Sequence, residues 1–557
     1  NQVLSFIKMN IKSITLIVIF TISSLVTNAQ FEAGLLNPLE AVYPDSNNVK
    51  FKNTFITNIA KNTAAEVHIL IKSEIGNLIS FSTQSKKNNN VNWSVVEPVP
   101  VEQNTGIDSR TEQFLGVINP HVIRRAPFKV YEIIHPLKER SIKTKYRYSL
   151  IRLTVNSENF KSNKDYIINI YISDKLKNLK KLKFKIKVHS VIIPDLIDSN
   201  FFYTNWFNLQ KMEEKHNIKR WSKKWYKMLD KYAQLMAKGR QNCIIIPKEL
   251  ISLKNNKIIL DEKKMISFIE IFKKHGFTYF ESPHLLGRGE NDNWGNPELI
   301  TSLRKKGYYS SEGKKEIDTI IHKIKKFTSK YNLKNQWLQH ISDEPTNINA
   351  KCYQDAAKQI KSIYPEIKIM EATNAKESLS GSIDLWCPLI NDFQENEEFF
   401  RNREKKGEKV LIYTCLVPGG KWLNRTLDME RIRQVYFGWA GSKYNTFGYL
   451  HWGLNQYKAN PFTQSVVKHP SPAASSNNYL PAGDTHIIYP GENGPLSSIR
   501  FESHRLGIED YEILEILKSI NPSKHSRFIQ KLFINYTNYS LSINKYMRIK
   551  RRVLKSI

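Results

Sequence analysis

Two adjacent carboxylates, Asp343 and Glu344, close the apolar-rich run 336–342, and Pro345 stops it. An unpaired charge is costly to bury, so an acid pair at the end of a buried strand needs a use. In a barrel of parallel strands, chemistry is done at the C-terminal strand ends. Glycoside hydrolysis usually sets two carboxyl groups roughly 5–10 Å apart on opposite sides of the scissile bond. Neighbours on one strand suit that poorly. They suit substrate-assisted hydrolysis, in which the 2-acetamido oxygen of the sugar attacks the anomeric carbon. One carboxylic acid then protonates the leaving oxygen, and its neighbour orients the acetamido N–H. The acid needs a raised pKa, which an adjacent negative charge helps to supply. The competing reading is a surface turn with a solvated Asp-Glu pair.

The elements that must position this pair read as strand and helix in alternation from about residue 200. Apolar runs at 201–207, 243–247, 277–283, 336–342, 367–372, 383–389, 410–415 and 446–452 read as eight strands. Helical stripes lie between them, such as Trp225, Leu229, Tyr232 and Met236, or Ile317, Ile320, Ile321, Ile324 and Phe327. Between strands five and six only 375–379 is available for a helix. The pattern predicts an α/β fold with a (β/α)8 TIM barrel over 196–520. Residues 30–195 are β-rich, with strands expected at 65–71, 146–155, 166–172 and 182–191, and read as an N-terminal β-sandwich. Residues 521–557 read as a short C-terminal helical extension.

In such a barrel several side chains meet at one face. They are Asn205 and Trp206, then Glu281 and His284 with Arg288 and Trp294 in the following loop, then Trp386, Tyr413, Trp452 and Asn455, with Tyr489 on the return segment. Flat rings above carboxylates suit a sugar, whose apolar face packs on them. The expected substrate-binding set is therefore Trp206, Trp386, Tyr413, Trp452, Asn455 and Tyr489. For any one of these aromatics, core packing is the competing reading.

The run His-Ile-Ser-Asp-Glu-Pro (340–345) resembles the acid-pair motif of glycoside hydrolase family 123 and of the related DUF4091 proteins. So do Gly-Asp-Thr-His-Ile-Ile-Tyr-Pro-Gly (483–491) and Ser-Ile-Arg-Phe-Glu-Ser-His-Arg-Leu-Gly-Ile-Glu-Asp-Tyr-Glu (498–512). Phe-Gly-Tyr-Leu-His-Trp-Gly-Leu-Asn (447–455) resembles the family's strand-eight motif. The resemblance implies an exo-acting, retaining β-N-acetylgalactosaminidase with a β-rich companion domain. It implies Asp343 as the acetamido-orienting carboxylate and Glu344 as the general acid/base. The charges of 498–512 (Arg500, Glu502, Arg505, Glu509 and Asp510) read instead as ion pairs that lock the last helix to the barrel.

Composition bounds the alternatives. The chain has 557 residues and a net charge of +32, with lysines spread along its length. No basic stripe with interleaved aromatics and no nucleic-acid motif occurs, so a nucleic-acid partner is not expected. A basic surface does concentrate anionic glycans. That leaves open another, anionic aminosugar glycan as substrate, or a non-catalytic glycan-binding barrel. Residues 1–29 read as a signal peptide, with an apolar stretch at 14–26 and cleavage after Ala29, which predicts a periplasmic or secreted protein. The apolar stretch is too short to span a bilayer. The four cysteines, Cys243, Cys352, Cys387 and Cys415, fit neither a disulfide framework nor a zinc pattern, although one bridge is open. The histidines show no metal-ligand grouping, and neither metal nor cofactor is expected.

Overall fold

A computed structural model describes residues 31–47, 49–84, 91–158, 160–289, 291–471 and 474–557. The expected signal peptide lies outside the described residues. Nine short strands lie at the runs expected to form the barrel, the seventh starting one residue early: β1 (Phe202–Asn205), β2 (Cys243–Ile245), β3 (Tyr279–Glu281), β4 (Trp337–Gln339), β5 (Lys368–Ala372), β6 (Leu385–Cys387), β7 (Lys409–Val410), β8 (Ile412–Tyr413) and β9 (Gly448–His451). They pair in parallel in two arcs. One arc runs β2-β3-β4-β5-β6-β7 and the other β1-β9-β8. β7 and β8 are consecutive pieces of the expected seventh strand, split at Leu411, whose N–H donates to the Trp386 carbonyl at 2.8 Å. Across the other gap, the Asn242 N–H donates to the Tyr203 carbonyl at 3.1 Å.

The strands are buried on both faces, as parallel strands covered by helices are. Trp337, Ile369 and Trp386 pack into the core shared with the helices. Leu338, Met370, Leu385, Cys387, Tyr413 and Leu450 form a separate cluster on the opposite strand face. The stripe predicted for the first long helix is buried in Lys223–Lys238, and the isoleucine stripe in Ser311–Lys330. Between β5 and β6 the chain makes only the 3-10 turn Glu377–Leu379. All four cysteines are free thiols, three of them buried.

The β-rich N-terminal region forms two sheets. Five N-terminal strands, in the order Glu32–Leu36, Ala64–Lys72, Tyr148–Asn156, Val91–Val101 and Phe128–Pro136, belong to a seven-stranded sheet. Its last two strands, Gly494–Ser498 and Tyr489–Gly491, come from the far end of the chain. The second sheet has the order Thr54–Lys61, Leu179–Ile192, Lys164–Ser173, Leu78–Gln84 and Ser141–Lys143. Val67, Ile69 and Leu153 of the first share one core with Ile170, Phe184 and Ile186 of the second. Each such side chain stabilises by about 1.5–3 kcal/mol when fully buried.

The hairpin 489–498 was expected within the barrel region, yet its hydrogen bonds belong to the N-terminal sheet. The helix that follows, Ile499–Ile520, is buried along most of its length. Its charges reach that same sheet. Arg500 pairs with Glu132 at 2.6 Å, Glu502 with Arg152 at 3.1 Å, and Arg505 reaches Glu66 at 3.7 Å. They thus join the helix to the N-terminal sheet, where the sequence pattern suggested the barrel. The tail adds helices Pro522–Leu532 and Ile543–Leu554, whose Tyr546, Ile549 and Val553 enter the main core.

Candidate active site

Asp343 and Glu344 sit half-buried on the turn after β4. Glu344 has φ +42°, a left-handed backbone that costs a residue with a Cβ about 1–2 kcal/mol. Neighbouring loops hold the turn in place. The Arg288 guanidinium, stacked 3.8 Å over the Trp294 ring, donates to the Asp343 carbonyl at 2.6 Å and the Glu344 carbonyl at 3.3 Å. Just past the end of β5, the Thr373 hydroxyl donates to the Pro345 carbonyl at 2.8 Å. The Tyr413 hydroxyl, at the end of β8, donates to Glu344 Oε1 at 2.8 Å. Burial, and then the Asp343 charge, push the Glu344 carboxyl up to about 7, while Tyr413 and Arg288 pull against that rise. A carboxyl of that kind is protonated at neutral pH often enough to give a proton away. Glu344 and Tyr413 line a cavity of about 460 Å³ together with Trp294, Asn347, Arg110 and His469.

Beneath the turn lies a buried chain of charge. His340 is fully enclosed, with Nδ1 2.9 Å from Glu371 and Nε2 2.9 Å from Glu281. Burial alone would lower the imidazole pKa, but the two carboxylates raise it to about 10. In return the imidazolium overrides the burial of Glu371 and holds it at about 2. Glu281 also accepts from Trp206 Nε1 at 2.9 Å and from the Cys243 thiol at 3.1 Å. Glu371 Oε2 accepts the N–H groups of Ile341 and Ser342, at 3.0 and 3.2 Å, and the Tyr353 hydroxyl at 3.2 Å. One carboxylate on β5 therefore fixes the two residues that lead into the acid pair. Ligand atoms of His284, His340 and Glu371 lie within 4.8 Å of one another, the spacing of a metal site. Both nitrogens of His340 already engage carboxylates, however, and Glu371 Oε2 is taken up by three donors. The donor set is that of a hydrogen-bonded network.

Residues 291–517 match the family model of the glycoside hydrolase 123 catalytic domain. The segment from the loop after β3 into the helix Ile499–Ile520 is thus similar to a glycoside hydrolase family 123 catalytic domain. The protein is a glycoside hydrolase. A solved family 123 glycoside hydrolase from Clostridium perfringens, described for glycolipid glycan hydrolysis, has the same fold, with a TM-score of 0.75 over 94% of this chain and 98% of that one, at 15% identity. A GH5 xyloglucanase from Bacteroides ovatus covers 86% of this chain and 100% of its own at 8% identity, with a TM-score of 0.32, too loose a likeness to carry an argument. No curated protein matches.

Within the site the expected residues divide. Tyr413 meets Glu344 directly. Trp206 stands edge-on to His284 and His340 and lines a cleft of about 770 Å³ beside the ends of β1 to β3. Trp452 is half-buried and donates to Asp484 Oδ2 at 3.2 Å. Asn455 is fully buried, and its amide exchanges hydrogen bonds of 2.7 and 2.9 Å with the Asn208 backbone, tying the loop after β9 to that after β1. Two expectations are corrected. Trp386 packs against Phe399 and Phe400 and donates to Glu408 at 2.6 Å, so it belongs to the helix-facing core. Successive strand residues face opposite ways, and its neighbours Leu385 and Cys387 take the other face. Tyr489 is buried among Val99, Val101 and Val130 of the N-terminal sheet, because its hairpin crosses to that sheet.

Three residues of the site carry no assigned role in the sequence reading. Glu371 could have been noticed as a lone acid in the apolar run 367–372. Asp484 lies within a motif quoted above. It is fully buried beneath Trp452, and burial drives its carboxyl up to about 7. Arg110 carries no local signal.

Proposed function

We propose that this glycoside hydrolase is an exo-acting β-N-acetylhexosaminidase that removes terminal β-linked N-acetylgalactosamine by substrate-assisted, retaining hydrolysis. The observation that carries the reading is the pairing of a raised Glu344 carboxyl with an adjacent carboxylate and with the Tyr413 hydroxyl. Glu344 gives its proton to the glycosidic oxygen as the 2-acetamido oxygen attacks the anomeric carbon. Asp343 accepts the acetamido N–H and stabilises the oxazolinium that forms. Water then opens that ring from the face the leaving group vacated, and Glu344 takes the proton back. With Tyr413 donating to Oε1, the acidic O–H rests on Oε2 and is free for the leaving group. A glycolipid glycan, the substrate described for the Clostridium relative, is a fitting source of the terminal sugar.

Two further readings belong with this one. The arcs of β1–β9 form a single (β/α)8 barrel within 196–520, with a sandwich at 30–195 that also takes in the hairpin 489–498, and a helical tail at 521–557. The protein is exported through its first 29 residues.

Hydrolysis of an aryl β-N-acetylgalactosaminide is the direct test. Glu344→Gln lowers kcat by about a hundredfold or more, and Asp343→Asn by a similar factor. A thiazoline analogue of the oxazoline inhibits the wild type. Full activity in both variants would overturn the assignment.

A further inference from the structure

The cavity that holds Glu344 has one wall from outside the barrel. The loop 104–119 leaves the N-terminal sheet and docks on the segment after β8. The Arg110 N–H donates to the Leu416 carbonyl at 3.1 Å, and the Gly420 N–H donates to Gly106 at 3.2 Å. The loop is pinned by Asp428, which accepts the Thr105 N–H and hydroxyl, each at 2.7 Å. Gly419 and Gly420 allow the approach, since a Cβ on either would fall 2.3 Å from a carbonyl oxygen of the loop. Arg110 itself is held in the left-handed region, at φ +57°.

This arrangement presents a cation. Among the described residues, no carboxylate lies within ion-pair distance of Arg110. Its guanidinium stacks 4.1 Å over Phe114 and donates to the Ser109 hydroxyl at 2.8 Å, and its Nε is buried without a partner. The buried Arg152, Arg500 and Arg505, by contrast, all meet glutamates. His469 stands on the same cavity. Its Nδ1 accepts the Ser471 N–H at 3.1 Å, which leaves the Nε2–H to donate. Arg288 holds the backbone of the acid pair, whereas Arg110 reaches the same cavity from the loop outside the barrel. That is the place of a substituent on the glycan, not of the bond being cut.

We propose that Arg110, with His469 beside it, reads a carboxylate or sulfate on the glycan and makes this hydrolase selective for anionic N-acetylhexosaminides. The proposal rests on the hexosaminidase reading above. A planar fork of N–H donors suits either oxyanion. The anion is carried either by the terminal sugar, as a sulfate ester, or by the leaving sugar, as a uronate.

Four substrates separate these cases: an aryl β-N-acetylgalactosaminide, its 6-sulfo form, and β-N-acetylgalactosaminyl disaccharides ending in glucuronate or in glucose. One anionic member is expected to exceed its neutral counterpart in kcat/KM by about tenfold or more, mainly through KM. Arg110→Gln brings that ratio close to one, and Arg110→Lys retains part of it. The preference shrinks as salt is raised. Equal treatment of anionic and neutral members by the wild type overturns the proposal, as does an equal loss on both in Arg110→Gln. If the wild type cleaves none of the four, the hexosaminidase reading is what fails. Calorimetric titration with methyl β-glucuronide and galactose 6-sulfate then decides the anion site. Binding that disappears in Arg110→Gln sustains it, and no binding by the wild type overturns it.

Discussion

At the scale of single residues, Glu344 in its proposed role as the acid governs the pH behaviour. A proton donor must be protonated, so kcat/KM falls as pH rises through about 7. The Tyr413 hydroxyl bond favours the charged form of Glu344 and lowers its pKa. Tyr413→Phe therefore moves the basic limb of the profile to higher pH and lowers kcat, and a limb that stays in place counts against Glu344 as the donor. The same displacement costs stability. The folded carboxyl lies above its ordinary 4.5, so the folded state is progressively weakened as pH climbs from there through about 7. Glu344→Gln is accordingly more resistant to heat than the wild type above pH 7, while inactive. Matching melting curves for the two at pH 8 would argue against a raised carboxyl. The acid pair is legible in the sequence because Pro345 ends the run and two charges stand where apolar residues precede. Trp386 is misread because a strand buried on both faces is apolar throughout, with no alternation to say which side each ring takes.

At the scale of elements, the turn after β4 is held by its neighbours more than by its own sequence. His340 contributes stability through its two glutamates. The imidazole pKa rises from 6.5 to about 10 on folding, so its contribution is whole below 6.5 and fades towards 10. Glu371 drops from 4.5 to about 2, so its share is whole above 4.5 and fades towards 2. His340→Ala leaves two enclosed carboxylates without a cation, at a cost of about 3–5 kcal/mol. Denaturant titration at pH 6, inside both windows, is where that loss is greatest, and a cost below 1 kcal/mol there would rule the network out as a support of the turn. Positions of the parallel strands are readable from their apolar runs, although each strand is shorter than its run. Val91–Val101 and Phe128–Pro136 escape notice because Pro98, Pro100 and Pro136 break the usual strand signature. Glu371 escapes because its partner His340 is far away in the chain, and sequence spacing carries no record of that meeting.

At the scale of the whole molecule, buried charge joins the two halves. Arg500 and Glu132 are both fully buried and meet at 2.6 Å. Glu132→Ala strands the guanidinium and costs about 3–5 kcal/mol. Fluorescence and circular dichroism followed in the same denaturant series then separate into two transitions, and coincident curves with an unchanged midpoint would show that the pair does not couple the halves. The alternation of strand and helix makes the two parallel arcs legible, and the β-rich start announces the N-terminal sheets. The crossing of 489–498 between them is hidden, because a short apolar hairpin looks alike wherever it docks. That crossing has a bearing on how the protein is made. Phe128–Pro136 leaves the ribosome early, but Gly494–Ser498, the strand that covers its edge, emerges only near the end of synthesis. Until then the nascent N-terminal sheet has an open flank, ready to pair with whatever strand reaches it first. Chaperone cover of that flank during translation, and a tendency of chains truncated before residue 489 to aggregate, follow from this one late pairing.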